Sequence, residues 1–140
     1  MQADAPSSPI ERWLKIPRLE ADRRRYFAAM MDINDAHVVM LRERGLIPPA
    51  VARALHEAIA RVRAEPGLLD AFLDREDLYL IVEAAVTAAA GEEAGGLLHI
   101  GRSRNDITAT MTRMVAREEG WRLQERLLAV VGILVDLSAA

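Results

Sequence analysis

Apolar side chains recur every three or four residues through most of the chain, which is the spacing of amphipathic helices. One such stripe spans residues 26–44 and stops at Gly45. A second begins at Pro48 and Pro49 and ends at the turn formed by residues 65–67. Because the connection between them is short, we expect these two helices to pack as a hairpin.

A third apolar stripe predicts a helix that starts near Asp74 and ends at Gly91. We expect Asp74 to cap this helix, with Glu76 and Asp77 placing negative charge in its first turn. Three glycines then fall between residues 91 and 96. They predict a loop that uses backbone conformations closed to other residues.

A long helix is predicted from about Asn105 to the last residue, because no proline interrupts the helical spacing. Residues 127–135 are apolar on nearly every side, which predicts burial among several neighbours. No returning helix covers this surface, so we expect a truncated chain or obligate assembly with something else. The apolar seam of the helix consists of Leu123, Leu127, Val130, Leu134 and Leu137.

The predicted fold class is all-α, because no segment alternates polar and apolar residues as a strand does. The 140 residues are 51% hydrophobic, which is enough for the core of one domain. Their formal net charge of -3 gives no reason to expect a nucleic-acid partner. No apolar run reaches the roughly 18 residues of a membrane span, so we expect no membrane association.

The chain has no cysteine, which excludes a disulfide framework and a thiolate metal site and fits a cytoplasmic protein. His37 and His56 have no partner at metal-ligand spacing, so we expect no metal site. The first residues lack the basic opening and the apolar stretch of a signal peptide. We therefore expect residues 1–16 to form a flexible tail.

Residues 101–106 form a polar cluster at the predicted start of the long helix. Two guanidinium groups, a hydroxyl and a carboxamide lie there, and free N–H groups at a helix start also favour anions. Arginine can grip a carboxylate through two hydrogen bonds, and Arg102 and Arg104 are both available. The cluster is therefore interpreted as a site for a dianionic small molecule.

The same cluster has a purely structural explanation. Ser103 or Asn105 could cap the helix, and the arginines could pair with Glu92, Glu93 or Asp106. The chemistry of these side chains does not decide between the two interpretations.

The run LHIGRSRND at residues 98–106 resembles the LHTGRSRND signature of argininosuccinate lyases, with one mismatch in nine positions. Residues 91–96 resemble the loop that leads into that signature. Glu76, Asp77, Leu78 and Glu83 resemble the family's EDIHxxxE helix. The resemblance covers the chain from about Tyr26 to its end.

Membership of this family implies the fold and chemistry of the fumarase and aspartase superfamily. Its members cleave C–N or C–O bonds by β-elimination, and argininosuccinate lyases release arginine and fumarate. The resemblance implies a helical amino-terminal lyase domain over residues 17–101 and the first helix of a central bundle over residues 102–140, apparently truncated. It also implies a cytoplasmic homotetramer that acts in arginine biosynthesis and needs no cofactor.

The resemblance also assigns roles within the signature. Arg104 and Asn105 would hold a substrate carboxylate with the help of Ser103 and Arg102. His99 and Asp106 would shape the site. The catalytic acid and base belong to the family segments THxQ and GSSxMPxK, which do not occur here. We therefore expect no catalytic residue in this segment, and no activity from the 140 residues alone.

Four positions depart from the family pattern. Ile100 stands for its threonine, Ile107 for its glutamine, Met111 for an aspartate and Tyr79 for its histidine. These changes keep two alternatives open. One is a related lyase that acts on another N-substituted aspartate, and the other is a non-catalytic helical fragment or assembly subunit.

Overall fold

The computed structural model describes residues 8–139, and all regular secondary structure within them is helical. The predicted all-α class is confirmed. The expected tail over residues 1–16 lies partly outside the described residues. From residue 9 onward the chain is already helical, and a π-helical turn, Glu11–Lys15, continues into the first long helix.

Two helices form the predicted hairpin. Helix α1, Ile16–Glu43, starts well before the apolar stripe that predicted it, and α2 is Pro49–Ala64. The predicted stop is confirmed, since Gly45 has a φ of +67° and donates its N–H to the Arg42 carbonyl. The two helices bury the apolar side chains Ala29, Met30, Met31, Val38, Leu41, Ala52, Leu55, Ala58, Ile59 and Val62 against the core.

The third helix, α3, is Leu78–Ala90, and its N-cap differs from the prediction. A 3-10 helix, Pro66–Phe72, and a turn occupy the preceding chain, so Asp74 stands outside the helix. Asp77 has the extended backbone that an N-cap needs, and its Oδ1 accepts the Leu80 N–H at 2.9 Å. The prediction of Asp74 as the cap is therefore wrong by three residues.

The glycine-rich segment after α3 is only partly a loop. Gly91 ends α3 with a φ of +87°, as predicted, but Glu92–Gly95 form a short helix, α4. A Cβ at Gly95 would lie 2.6 Å from the Cα of Thr87. Close packing between α3 and α4 therefore explains why a glycine is found at this position. The prediction from the sequence was that it serves a loop conformation.

The last helix, α5, is Arg104–Ala139 and confirms the predicted long helix over the described residues. Ile107, Met111 and Val115 at its start are buried in the core with Leu98. Every described residue from position 116 onward is exposed. Within residues 8–139, no helix combines the length and the apolar content needed to cross a bilayer.

Candidate functional site

The signature LHIGRSRND forms the turn between α4 and α5 and the first residues of α5. Gly101 has a φ of +72°, which suits glycine, and the Arg102 N–H donates to the His99 carbonyl at 3.4 Å. This turn sends the chain into α5 at Arg104. The glycine of the signature is thus explained by backbone conformation.

Ser103 and Asp106 form a reciprocal cap at the start of α5. The Ser103 Oγ accepts the Asp106 N–H at 3.4 Å, and the Asp106 Oδ2 accepts the Ser103 N–H at 3.1 Å. This arrangement is a capping box, which satisfies two backbone donors at once. The structural interpretation of Ser103 as a cap is therefore correct, and both side chains serve the helix start.

Arg104 and Asn105 lie on the exposed side of the same helix start. The Arg104 Nη1 is 3.2 Å from Asp77 Oδ2 and 3.8 Å from Glu76 Oε2, and its side chain is 49% exposed. Asn105 is exposed, and its side chain makes no hydrogen bond within the described part of the chain. The acidic partners of Arg104 thus come from the start of α3, where the structural interpretation had named Glu92, Glu93 or Asp106.

Arg102 points in the opposite direction, into the protein. Its Nη2 donates to the Oδ1 of Asn34, a buried residue of α1, at 2.8 Å. Its Nε and Nη1 are also buried and have no hydrogen-bond partner in the described residues. Burial lowers the pKa of Arg102, while Tyr79 and Glu83 act to raise it. Arg102 therefore supports the helix start from beneath.

Tyr79 connects α3 to the signature. Its hydroxyl donates to Glu83 Oε1 at 2.8 Å and is also hydrogen-bonded to His99 Nδ1. The rings of Tyr79 and His99 meet edge to face, with centroids 5.8 Å apart. Burial raises the pKa of Tyr79, and the neighbouring Glu83 carboxylate raises it further. The phenol therefore keeps its proton throughout the neutral range.

His37 connects α1 to the turn before α5. Its Nε2–H donates to the Ile100 carbonyl at 3.0 Å. Burial lowers the pKa of His37, and the nearby charge of Arg102 lowers it as well. The hydrogen bond to the Ile100 carbonyl acts in the opposite direction and raises this pKa. Because a carbonyl oxygen can only accept, His37 acts here as a structural donor. No group of three metal-ligating side chains is present within residues 8–139.

Three of the four departures from the family pattern are buried in this chain. Ile107 is 3% exposed, Met111 is 8% exposed and Tyr79 is 6% exposed, and all three belong to the core. Ile100 is partly buried against the same core. Packing alone therefore accounts for the apolar character of Ile107 and Met111.

A groove of about 300 Å³ lies beside Arg104, between α1 and the starts of α3 and α5. Its walls include Tyr26, Tyr79, Arg104, Thr108, Met111 and Thr112. The groove brings the exposed arginine of the signature together with three of the four departures from the family pattern, which are Tyr79, Ile107 and Met111.

Sequence reasoning missed Asn34, which anchors Arg102. The signal was present, because Asn34 is a polar residue in the middle of the apolar stripe that contains Met30, Val38 and Leu41. A polar side chain on the buried face of a helix requires a partner. The partner itself is 68 positions away in the sequence and could not be identified from spacing.

Comparisons with known proteins give one consistent result. Argininosuccinate lyase 1 of Shouchella clausii is 34% identical over 136 residues, which cover 96% of this chain and 27% of that protein. The argininosuccinate lyase of Methanosarcina mazei is 37% identical over 120 residues, covering 86% of this chain and 24% of the relative. That of Ralstonia pickettii is 41% identical over 114 residues, covering 79% and 24%.

No family model and no solved structure matches the chain. The chain spans about a quarter of the length of the curated relatives it matches. These relatives confirm the resemblance first indicated by residues 98–106. The chain therefore belongs to the argininosuccinate lyase family and corresponds to the amino-terminal part of those relatives.

Proposed function

We propose that this chain is the amino-terminal part of a carbon–nitrogen lyase that cleaves argininosuccinate into arginine and fumarate by β-elimination. The main support is the outward-facing donor cluster at the capped start of α5, in a chain whose relatives are named argininosuccinate lyases. In this proposal Arg104 and Asn105 bind a carboxylate of the substrate. Their side chains occupy the first two positions of the helix after its cap.

The chemistry of β-elimination explains why such a cluster is needed. Removal of the proton beside a carboxylate places additional negative charge on that carboxylate in the transition state. Fixed cationic and N–H donors lower the energy of this charge, and their contribution is largest where they are held in advance. The backbone N–H groups of Arg104 and Asn105 have no acceptor in the described part of the chain and add to these donors.

The ion pairs of Arg104 are compatible with this role. Its contacts with Asp77 and Glu76 lie at the surface, where such pairs contribute only about 0–1 kcal/mol. A substrate carboxylate can therefore replace them at small cost. Until then, the two acidic groups hold the guanidinium beside the groove. Ser103 and Asp106 keep the helix start in place, and Arg102 supports it from inside.

The rest of the active site is proposed to come from outside this segment. Residues 17–101 would form the amino-terminal domain, and residues 102–140 the first helix of a central bundle in a cytoplasmic homotetramer. The exposed half of α5 supports such an assembly, because Leu123, Leu127 and Leu134 are 57–59% exposed. The proposed step needs an acid, a base and hydrogen-bond donors, and it uses no cofactor.

A chimera would test the proposal. Residues 26–139 would replace the matching segment of the Ralstonia pickettii lyase, and fumarate release from argininosuccinate would be measured. Arg104→Ala should lower kcat/KM at least about 100-fold, because one charged donor to the developing negative charge is lost. Arg61→Ala is the matched control, since Arg61 is 59% exposed near the end of α2 and forms its ion pair with Glu65, away from the signature.

Turnover that survives Arg104→Ala in a folded chimera would exclude Arg104 from the site. Helical circular dichroism and oligomer size would be measured alongside, so that a loss of folding is recognised. The same chimera would be assayed with a panel of aspartate adducts. Faster fumarate release from another adduct would favour the related-lyase alternative, which Tyr79 at the groove wall supports.

A further inference from the structure

The hydrogen bonds of Tyr79 determine where the proton of His99 lies. A phenol hydroxyl has one proton, and an ionised carboxylate can only accept. Since the Tyr79 hydroxyl donates to Glu83 Oε1 at 2.8 Å, its oxygen can only accept from His99. The Nδ1 of His99 must therefore carry a proton.

Two further contacts favour the same proton position. The Glu83 Oε1 lies 3.4 Å from His99 Nδ1, and its negative charge is favourable beside an N–H group. The edge-to-face contact with Tyr79 fixes the plane of the imidazole ring. Because Tyr79 is only 6% exposed, water cannot readily replace the histidine as the partner of its hydroxyl.

In a neutral ring with a proton on Nδ1, the Nε2 atom holds a lone pair. The side chain of His99 is 43% exposed, and its backbone carbonyl accepts the N–H of Arg102 at the turn before α5. His99 thus lies in the turn that leads into the proposed carboxylate-binding segment. Its Nε2 has no hydrogen-bond partner within the described residues.

We propose that Glu83 and Tyr79 are positioning residues that hold His99 with Nδ1 protonated, so that Nε2 accepts a hydrogen bond from an N–H group of the substrate. This inference rests on the proposed function. Arg104, Asn105 and the free backbone N–H groups are donors and suit the carboxylates of an N-substituted aspartate. The nitrogen of such a substrate also carries N–H, which requires an acceptor. His99 supplies one in the turn before the same helix.

The first test measures the proton position directly. The chain has three histidines, so ¹⁵N-labelled imidazoles give few signals, and His99→Asn identifies that of His99. At pH 8, where imidazoles are ordinarily neutral, we expect the ¹⁵N shifts of the Nδ1-protonated tautomer for His99. An Nε2-protonated His99 overturns the proposal, whatever the activity of the protein.

The dependence on the positioning residues is tested with a double variant. Tyr79→Phe together with Glu83→Met removes both acceptors at Nδ1 and should shift His99 towards the Nε2-protonated tautomer. Tyr26→Phe is the matched control, since it removes the hydroxyl of the chain's other tyrosine and should leave His99 unchanged. An unchanged tautomer in the double variant contradicts the positioning role.

The functional consequence is measured in the chimera. Tyr79→Phe should lower kcat/KM about tenfold, mainly through KM, because the loss of one substrate hydrogen bond acts at this scale. If His99 lacks the predicted tautomer while the activity of the chimera depends on Arg104, this inference is overturned and the proposed function stays in place. If His99 has the predicted tautomer but a folded chimera releases no fumarate, the proposed function is overturned, and with it the use of Nε2.

Discussion

The two ends of α5 have similar apolar side chains in very different surroundings. At its start, Ile107, Met111 and Val115 are 3–8% exposed because they pack on α1 and the core. In its second half, the seam side chains Leu123, Leu127, Val130, Leu134 and Leu137 are 52–68% exposed. The comparison teaches that helical spacing of apolar residues indicates a need for burial without indicating what provides it.

Burial of the exposed seam in the second half of α5 would contribute a large free energy. Full burial of one Leu or Val side chain is worth about 1.5–3 kcal/mol, so the five seam residues together represent on the order of 10 kcal/mol. No part of residues 8–139 covers these side chains. This surface is the physical basis for proposing self-association.

The largest expected effect comes from making the same substitution, Leu to Ala, in the packed core and in the exposed seam of α5. Leu98→Ala should lower the free energy of unfolding by about 2–5 kcal/mol, because Leu98 is 0% exposed and the change leaves a cavity. Leu127→Ala is the matched control, since Leu127 is 57% exposed. It should change the stability of the dilute chain by less than about 0.5 kcal/mol.

Urea unfolding at a fixed, low chain concentration measures both effects. Sedimentation at higher concentration should then show weaker self-association for Leu127→Ala than for Leu98→Ala. Equal losses of stability in the two variants would remove the distinction between the packed and exposed parts of the molecule.

A second, smaller effect compares two asparagines. Asn34→Ala should cost about 1–3 kcal/mol of unfolding free energy, because it removes the buried acceptor of the Arg102 Nη2. Asn105→Ala should stay within about 0.5 kcal/mol, since Asn105 is exposed.

A third variant identifies the cause of that loss. Adding Arg102→Met to Asn34→Ala removes the guanidinium that lacks a partner, and part of the lost stability should return. If the double variant is no more stable than Asn34→Ala, the contact between these two side chains does not explain the effect.

Local signals in the sequence were sufficient for most of the helices. The stops at Gly45 and Gly91 and the start at Pro49 follow from backbone conformations that these residue types favour, and the structure confirms them. The N-cap of α3 was misplaced because the 3-10 helix before it, Pro66–Phe72, has no comparable local signature. Asp74 and Asp77 are the same residue type, and only the path of the preceding chain distinguishes them.

The candidate site was less predictable for a different reason. Arg102 and Arg104 are two positions apart, yet one donates to Asn34 inside and the other pairs with Asp77 outside. Their partners lie 68 and 27 positions away in the sequence. The direction of each side chain therefore depends on tertiary packing. Spacing identified the cluster but could not divide it into supporting and exposed residues.

The smallest expected effect concerns pH and the contact of His37 with the Ile100 carbonyl. The pKa of His37 is lowered in the folded chain, chiefly by burial, so the unfolded chain binds the proton more readily. The contribution of His37 to stability is therefore complete above the ordinary imidazole pKa of about 6.5 and is lost as pH falls below it. Unfolding measured between pH 7.5 and 5.5 should show a steeper loss for the natural chain than for His37→Gln, whose side chain does not titrate. Parallel pH profiles would mean that His37 is as easily protonated in the folded chain as in the unfolded one, and that burial against the turn before α5 does not hold its ring neutral.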